Sequence, residues 1–177
     1  SDAFPCDAAK TAADSTMSDA DLGTFLAAAP LGTATVNATG MTTSAKAIVS
    51  TNITRVASIT NLALVSGDAA AAITNLLSKT SGATANAASM LANQLTALSG
   101  TIANVASITN LSLTSAQSTG EITNLLGKTS TGVALATSMS SAQLTALGAA
   151  AAGIAADGIT GTLAINSAVT SLDALLG

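Results

Sequence analysis

The sequence predicts an α/β fold, a solenoid of about 25-residue strand–helix turns with a parallel sheet on one side and helices on the other. Three observations predict it: a 49-residue internal repeat, two extended and two helical phrases in each copy, and Gly or Ser at the boundaries. "SITNL" starts at 58 and at 107, "ITNLL" at 73 and at 122, and "QLTAL" at 94 and at 143. Met41, Met90 and Met139 keep the same step of 49. Four independent markers on one period exceed what composition alone produces.

The elements follow in order. Residues 1–30 read as an N-terminal segment and capping helix, and 31–177 as the repeat. Ser18 is placed to cap a helix carrying Leu22, Phe25 and Leu26, with Asp21 three residues on, and Pro30 stops it. The first extended phrase of each unit is "TATVNATGM" (33–41), then "GATANAASM" (82–90), then "TGVALATSM" (131–139). The second is "SITNLALVSG" (58–67), then "SITNLSLTSA" (107–116), with a degenerate third copy, "GITGTLAINS" (158–167), that carries a small insertion.

Between them lie helices. In "SMLANQLTALSGTIANV" (89–105) Leu95, Leu98, Ile102 and Val105 fall on one face, which predicts one helix running through Val105. Ile122, Leu125 and Leu126 do the same over a shorter span, and Lys79 and Lys128 follow such helices, where a cation suits the C-terminal dipole. The competing fold is an all-α Ala-rich bundle. Against it stand the Thr and Val of "TATVNATGM" and the alternation in "NLALVS".

Hydrophobic residues make up 49% of the 177 residues but aromatics only 1%. The interior is therefore Ala, Val, Ile and Leu, and small side chains fill space only where backbones approach closely. Ala34, Val36 and Ala38 are expected to point inward, as are Ala83, Ala85 and Ala87. So are Ile59, Leu62 and Leu64, with Ile108, Leu111 and Leu113 one unit later.

The phrases Ile59-x-x-Leu62-x-Leu64 and Ile108-x-x-Leu111-x-Leu113 resemble the LxxLxL core of leucine-rich repeats, which implies a leucine-rich-repeat-like solenoid, flatter and thinner than usual. The likeness is partial, since Gly67 and Ala116 stand where that family places Asn and alternate turns replace Leu by Ala. Over roughly 31–177 the phrases "TATVNATGM", "AQLTAL", "ASITNL" and "EITNLLGKT" also resemble the Ala/Thr-rich repeat arrays of bacterial, cyanobacterial-type, exported or surface proteins. That resemblance implies a structural or cell-surface setting.

Charged residues are 8% of the chain, and the net charge of -4 belongs to the N-terminal segment, where Asp2, Asp7, Asp14, Asp19 and Asp21 face only Lys10. Beyond it four acids balance four bases. No basic stripe or aromatic platform serves a nucleic acid, and no small-molecule substrate or cofactor is expected. The chain contains no His, and Asp68, Glu121, Asp157 and Asp173 are spread singly as turn or cap residues. Catalytic and metal-ligating residues are thus expected to be absent, and the protein is expected not to be an enzyme. Mean hydropathy is positive, yet Ser, Thr, Asn or Gly breaks every apolar run, so membrane insertion is not expected.

The start "SDAFPCDAAK" lacks the features of a signal peptide and reads as a mature end left by cleavage or an artificial boundary. Cys6, the single cysteine, is either an incidental thiol or an intermolecular link. Three sequons, "NAT" (37–39), "NIT" (52–54) and "NLS" (110–112), carry little weight in a sequence this rich in Asn, Ser and Thr.

Two functional expectations follow. The apolar, uncapped C-terminal end and neutral body point to an extracellular or cell-surface structural protein that self-assembles with copies of itself, end to end, into a filament or layer; alternatively the array continues beyond 177 as part of a large adhesin. A rival reading is an ice-binding solenoid whose outward strand residues Thr33, Thr35, Asn37, Thr39, Thr84, Asn86, Ser112 and Thr114 form a flat hydroxyl-rich face.

Overall fold

The structure, a computed structural model, describes residues 12–129, 132–134, 138–156 and 163–165, with side chains up to 149. It is mixed α/β with parallel sheets. In chain order the elements are β1 (Ala12–Ala13), α1 (Asp19–Ala28), β2 (Ala34–Asn37), α2 (Thr43–Thr51), β3 (Val56–Thr60), β4 (Leu62–Leu64), α3 (Ala70–Leu77) and β5 (Ala83–Asn86). Then follow α4 (Ala92–Gly100), β6 (Ser107–Thr109), β7 (Leu111–Leu113), α5 (Thr119–Leu126), β8 (Gly132–Ala134), α6 (Ser141–Ala156) and β9 (Leu163–Ile165). The all-α alternative is overturned by the nine strands among the described residues, which hydrogen-bond in parallel, each three-stranded sheet following chain order: β1-β2-β3, β4-β5-β6 and β7-β8-β9. Helices pack likewise on their chain neighbours, from α1 on α2 through α5 on α6.

The "SITNLALVS" phrase is not one strand but two. Asn61 has φ 51° and Asn110 φ 54°, the left-handed region that Asn tolerates better than other side-chain-bearing residues. The corner at Asn61 lets β3 pair backward with β2, in the register Val36↔Ile59, while β4 pairs forward with β5, in the register Leu64↔Ala85. At Asn110 the same corner sends β6 back to β5 and β7 on to β8. It also explains how Ile59 and Leu62, three residues apart, are both buried. On an unbroken strand that spacing would put them on opposite faces.

All the residues expected to point inward are buried. Across the sheets, large side chains sit beside small ones: Leu62↔Ala83, Leu64↔Ala85, Ala85↔Ile108, Leu113↔Ala134. The Ala-bearing strands thus nest between Leu- and Ile-bearing strands, filling the volume that two adjacent Ala rows would leave empty. From the helix side Leu22, Leu26, Ile73, Leu76, Leu98, Ile122 and Leu125 close the same core, all fully buried. Each large side chain so buried is worth about 1.5–3 kcal/mol.

The helix expected to run to Val105 ends instead at Gly100, and Ile102–Asn104 form a separate 3-10 turn. Thr101 N donates to the Leu98 carbonyl at 3.2 Å and Asn104 N to the Thr101 carbonyl at 3.1 Å, three residues back rather than the four of an α-helix. The same construction recurs at α2, where Ile53–Arg55 follow Thr51. Val105 and Val56 are buried at the entry to the next strand rather than on a helix face. Lys79 and Lys128 lie past the C-caps Ser78 and Gly127, so the last turns of α3 and α5 contain no basic residue. Their backbone carbonyls accept from Ile59 N at 2.7 Å and Ile108 N at 3.1 Å, tying the turn to the strand behind it.

At the N-terminal end Ser18 caps α1 as the sequence predicts, accepting from Asp21 N at 3.2 Å, and Phe25 joins the core. In the third unit α6 is 16 residues long where α2 and α4 have 9. No helix among the described residues is long and apolar enough to cross a membrane. Cys6, Asp157 and Asp173 lie outside the described residues.

Candidate functional site

Two sets of polar side chains stand out: those on the outer face of the sheets and those buried between successive turns.

The outer face is built by alternation. Thr35 pairs with Ser58 and Asn37 with Thr60, and 49 residues on Thr84 pairs with Ser107 and Asn86 with Thr109. Each row thus places small hydroxyl or amide side chains on strands about 4.8 Å apart. Ser58, Thr60, Ser107 and Thr109 escape a reading that treats each "SITNL" phrase as a single strand. They face outward because Asn61 and Asn110 reset the alternation. Elsewhere the rows turn apolar: Ala63 lies beside Thr84, and Ser112 beside Val133, which is 44% exposed.

Of the eight residues expected to form a hydroxyl-rich face, the structure places Thr35, Asn37, Thr84, Asn86 and Ser112 on strands and Thr33, Thr39 and Thr114 just outside them. The last three make hydrogen bonds close by. Thr33 Oγ1 donates to the Pro30 carbonyl at 2.8 Å, Thr39 Oγ1 to the Asn61 carbonyl at 3.3 Å, and Thr114 Oγ1 to Gln117 Oε1 at 2.9 Å. Asn37 Oδ1 and Asn86 Oδ1 accept from the backbone two residues on, turning the chain out of the strand.

The buried set centres on Lys46 and Asp68. Lys46 Nζ lies 3.0 Å from Asp68 Oδ2, with both side chains under 5% exposed, and Lys46 also donates to the Ala63 carbonyl. Asp68 Oδ2 accepts from Val65 N at 3.0 Å, closing the turn 65–68, whereas Asp68 Oδ1 is buried without a hydrogen-bond partner. From the following helix Gln94 Nε2 donates to the Ser66 carbonyl at 2.9 Å and to the Asp68 carbonyl. One turn of backbone is thus gripped by the helix before it and the helix after it.

The next unit repeats the grip with different chemistry. Gln117 replaces Asp68, Thr114 replaces Val65, and Leu95 stands where Lys46 stood. Gln117 Oε1 accepts from Thr114 N at 2.5 Å and from the Thr114 hydroxyl, so the hydroxyl supplies the second donor that the ammonium supplies at Asp68. Gln143 Nε2, like Gln94, donates to the carbonyls of Ser115, at 3.1 Å, and Gln117.

Further links join helices one turn apart. Asn75 Nδ2 donates to Ser50 Oγ at 3.4 Å and Asn124 Nδ2 to Ser99 Oγ at 3.3 Å. Thr96 Oγ1 donates to Glu121 Oε1 at 2.7 Å, and Glu121 closes a capping box on Ser118 N at 2.7 Å. Burial opposes ionisation of Glu121, but hydrogen bonds from the Ser118 hydroxyl, the Thr96 hydroxyl and the Ser118 N–H outweigh it, so its carboxyl is held below the ordinary value.

Comparison of the chain with known protein families, characterised proteins and solved structures found no match.

Proposed function

We propose that the chain is a leucine-rich-repeat-like solenoid with a structural, non-enzymatic role at the cell surface or outside the cell, whose copies associate end to end. The observation that carries this reading is where the polar side chains go. Lys46, Asp68, Gln94, Gln143, Glu121, Asn75 and Asn124 bond to the turn before or the turn after rather than converging on a cleft. Side chains so used stiffen a stack. Parallel pairing also extends without limit, because a strand bonded to the turn before it offers the same edge to a strand of another copy. The extracellular setting rests on the resemblance to exported repeat arrays. Sedimentation over a range of concentrations tests the association: species that grow with concentration support it, and an invariant monomer refutes it.

The paired rows Thr35–Ser58, Asn37–Thr60, Thr84–Ser107 and Asn86–Thr109 favour a second reading, an ice-binding face. Thermal hysteresis that disappears on Thr84→Tyr and Thr35→Tyr supports it. No hysteresis in the native protein, or hysteresis unchanged by those replacements, removes it.

A further inference from the structure

We propose that Lys46, Val65 and Asp68, set against Leu95, Thr114 and Gln117, form a register lock that decides which unit stacks on which. Successive units that share the same order of strands and helices, and 24 of 49 residues between 33–81 and 82–130, carry a hazard: a helix of one unit can dock on the equivalent turn of the next, either by looping out the unit between them or by pairing with a second copy of the chain. Several contacts between turns do not discriminate. Ser50 and Asn75 match Ser99 and Asn124, and Gln94 with its two carbonyls matches Gln143 with its own.

The three positions of the lock do discriminate, because they change together. In register, the Lys46 ammonium meets the Asp68 carboxylate. Out of step by one unit, α2 docks on the turn 114–117, where Gln117 Oε1 already accepts from Thr114 N and Thr114 Oγ1, and Lys46 is buried with no carboxylate. In the converse mispairing α4 brings Leu95 to Asp68. That carboxylate keeps only Val65 N as donor, and its Oδ1 lacks a partner even in the native arrangement. A buried charge left unpaired is among the most destabilising single defects, so both slips are penalised while the native order is not. The inference concerns intramolecular order as much as association and stands whether or not the native chain polymerises.

Cysteine trapping in a Cys6→Ser background tests it. Ser50→Cys with Asn75→Cys reports the native contact and serves as the positive control. Ser50→Cys with Asn124→Cys places the thiols side by side only when α2 has docked one unit out of step. After refolding and oxidation, this second pair is expected to give only background disulfide in the native sequence. The yield is expected to rise at least about tenfold when these three positions are made alike by Lys46→Leu, Val65→Thr and Asp68→Gln, which copies the chemistry the second unit already holds. The reciprocal change, Leu95→Lys, Thr114→Val and Gln117→Asp, also makes these three positions alike and is expected to have the same effect, which keeps the test valid should one of the two sets fail to fold by circular dichroism. Equal yields in native and equalised chains, whether both high or both at background, would overturn the proposal.

Discussion

Asn61 and Asn110 stand 49 residues apart and hold the same left-handed backbone, φ 51° and 54°, each at the point where one strand ends and the next begins in a different sheet. This shared corner makes the phrase "SITNL" recur. It lets Ile59 and Leu62 enter the core together, and it passes hydrogen bonding from the sheet behind to the sheet ahead.

Substitutions at the corner measure that requirement. Asn61→Gly, which accepts the left-handed region without strain, is expected to leave the urea midpoint nearly unchanged. Asn61→Val is expected to cost at least about 1–2 kcal/mol, the penalty of an L side chain in that region. Equal midpoints for the two variants would show that the corner is not held left-handed.

Leu91 occupies the N-cap of α4 with its side chain 65% exposed, whereas Thr42 and Ser140 stand at the equivalent positions of α2 and α6. A Leu side chain accepts no hydrogen bond. Leu91→Ser restores the oxygen and reproduces the Ser140–Gln143 arrangement, in which Gln143 N donates to Ser140 Oγ at 3.3 Å. Thermal unfolding is expected to shift upward by the equivalent of about 1 kcal/mol.

Breaking the Lys46–Asp68 pair from one side leaves the other charge buried. Lys46→Met and Asp68→Asn are each expected to cost about 3–5 kcal/mol. Because the pair is shielded from solvent, the loss is expected to be nearly the same at low and high salt, unlike that of a surface pair. A cost below about 1 kcal/mol, or one that vanishes in high salt, would mark the pair as solvated.

Glu121 sets an acid-side limit. Its folded-state carboxyl is held below the ordinary value, so its contribution is fully present above the ordinary glutamate pKa of ~4.3 and is lost as pH falls through the lower folded value. Glu121→Gln keeps a side-chain acceptor for Ser118 N. It is expected to preserve most stability at neutral pH and to flatten the fall between about pH 4.3 and lower values. An unchanged acid slope in that variant would assign the fall to other carboxyls.

Much of the architecture was legible because the repeat supplies the same observation twice. The strand positions, the capping helix with Ser18, and the inward Ala, Ile and Leu rows all follow from a 49-residue period combined with alternation. The corner at Asn61 is signalled in the sequence only by the spacing of Ile59 and Leu62, since two inward residues three apart require a break in an extended chain. A phrase taken as one strand leaves Ser58, Thr60, Ser107 and Thr109 off the outer face. The helix drawn through Val105 failed for a related reason, since Leu98, Ile102 and Val105 are all partly or fully buried but by different elements.

The Lys46–Asp68 pair is hidden from a position-by-position reading because 22 residues separate two charges that look like an exposed helix lysine and a turn aspartate. Its signal lies in the comparison of units, where Lys, Val and Asp become Leu, Thr and Gln.

Copies that join end to end, as proposed, build a stack that grows with concentration. Negative-stain electron microscopy of the purified protein across a concentration series makes that growth visible. Filaments of uniform width that lengthen as concentration rises are expected. Single, compact, monodisperse particles at every concentration would refute end-to-end association.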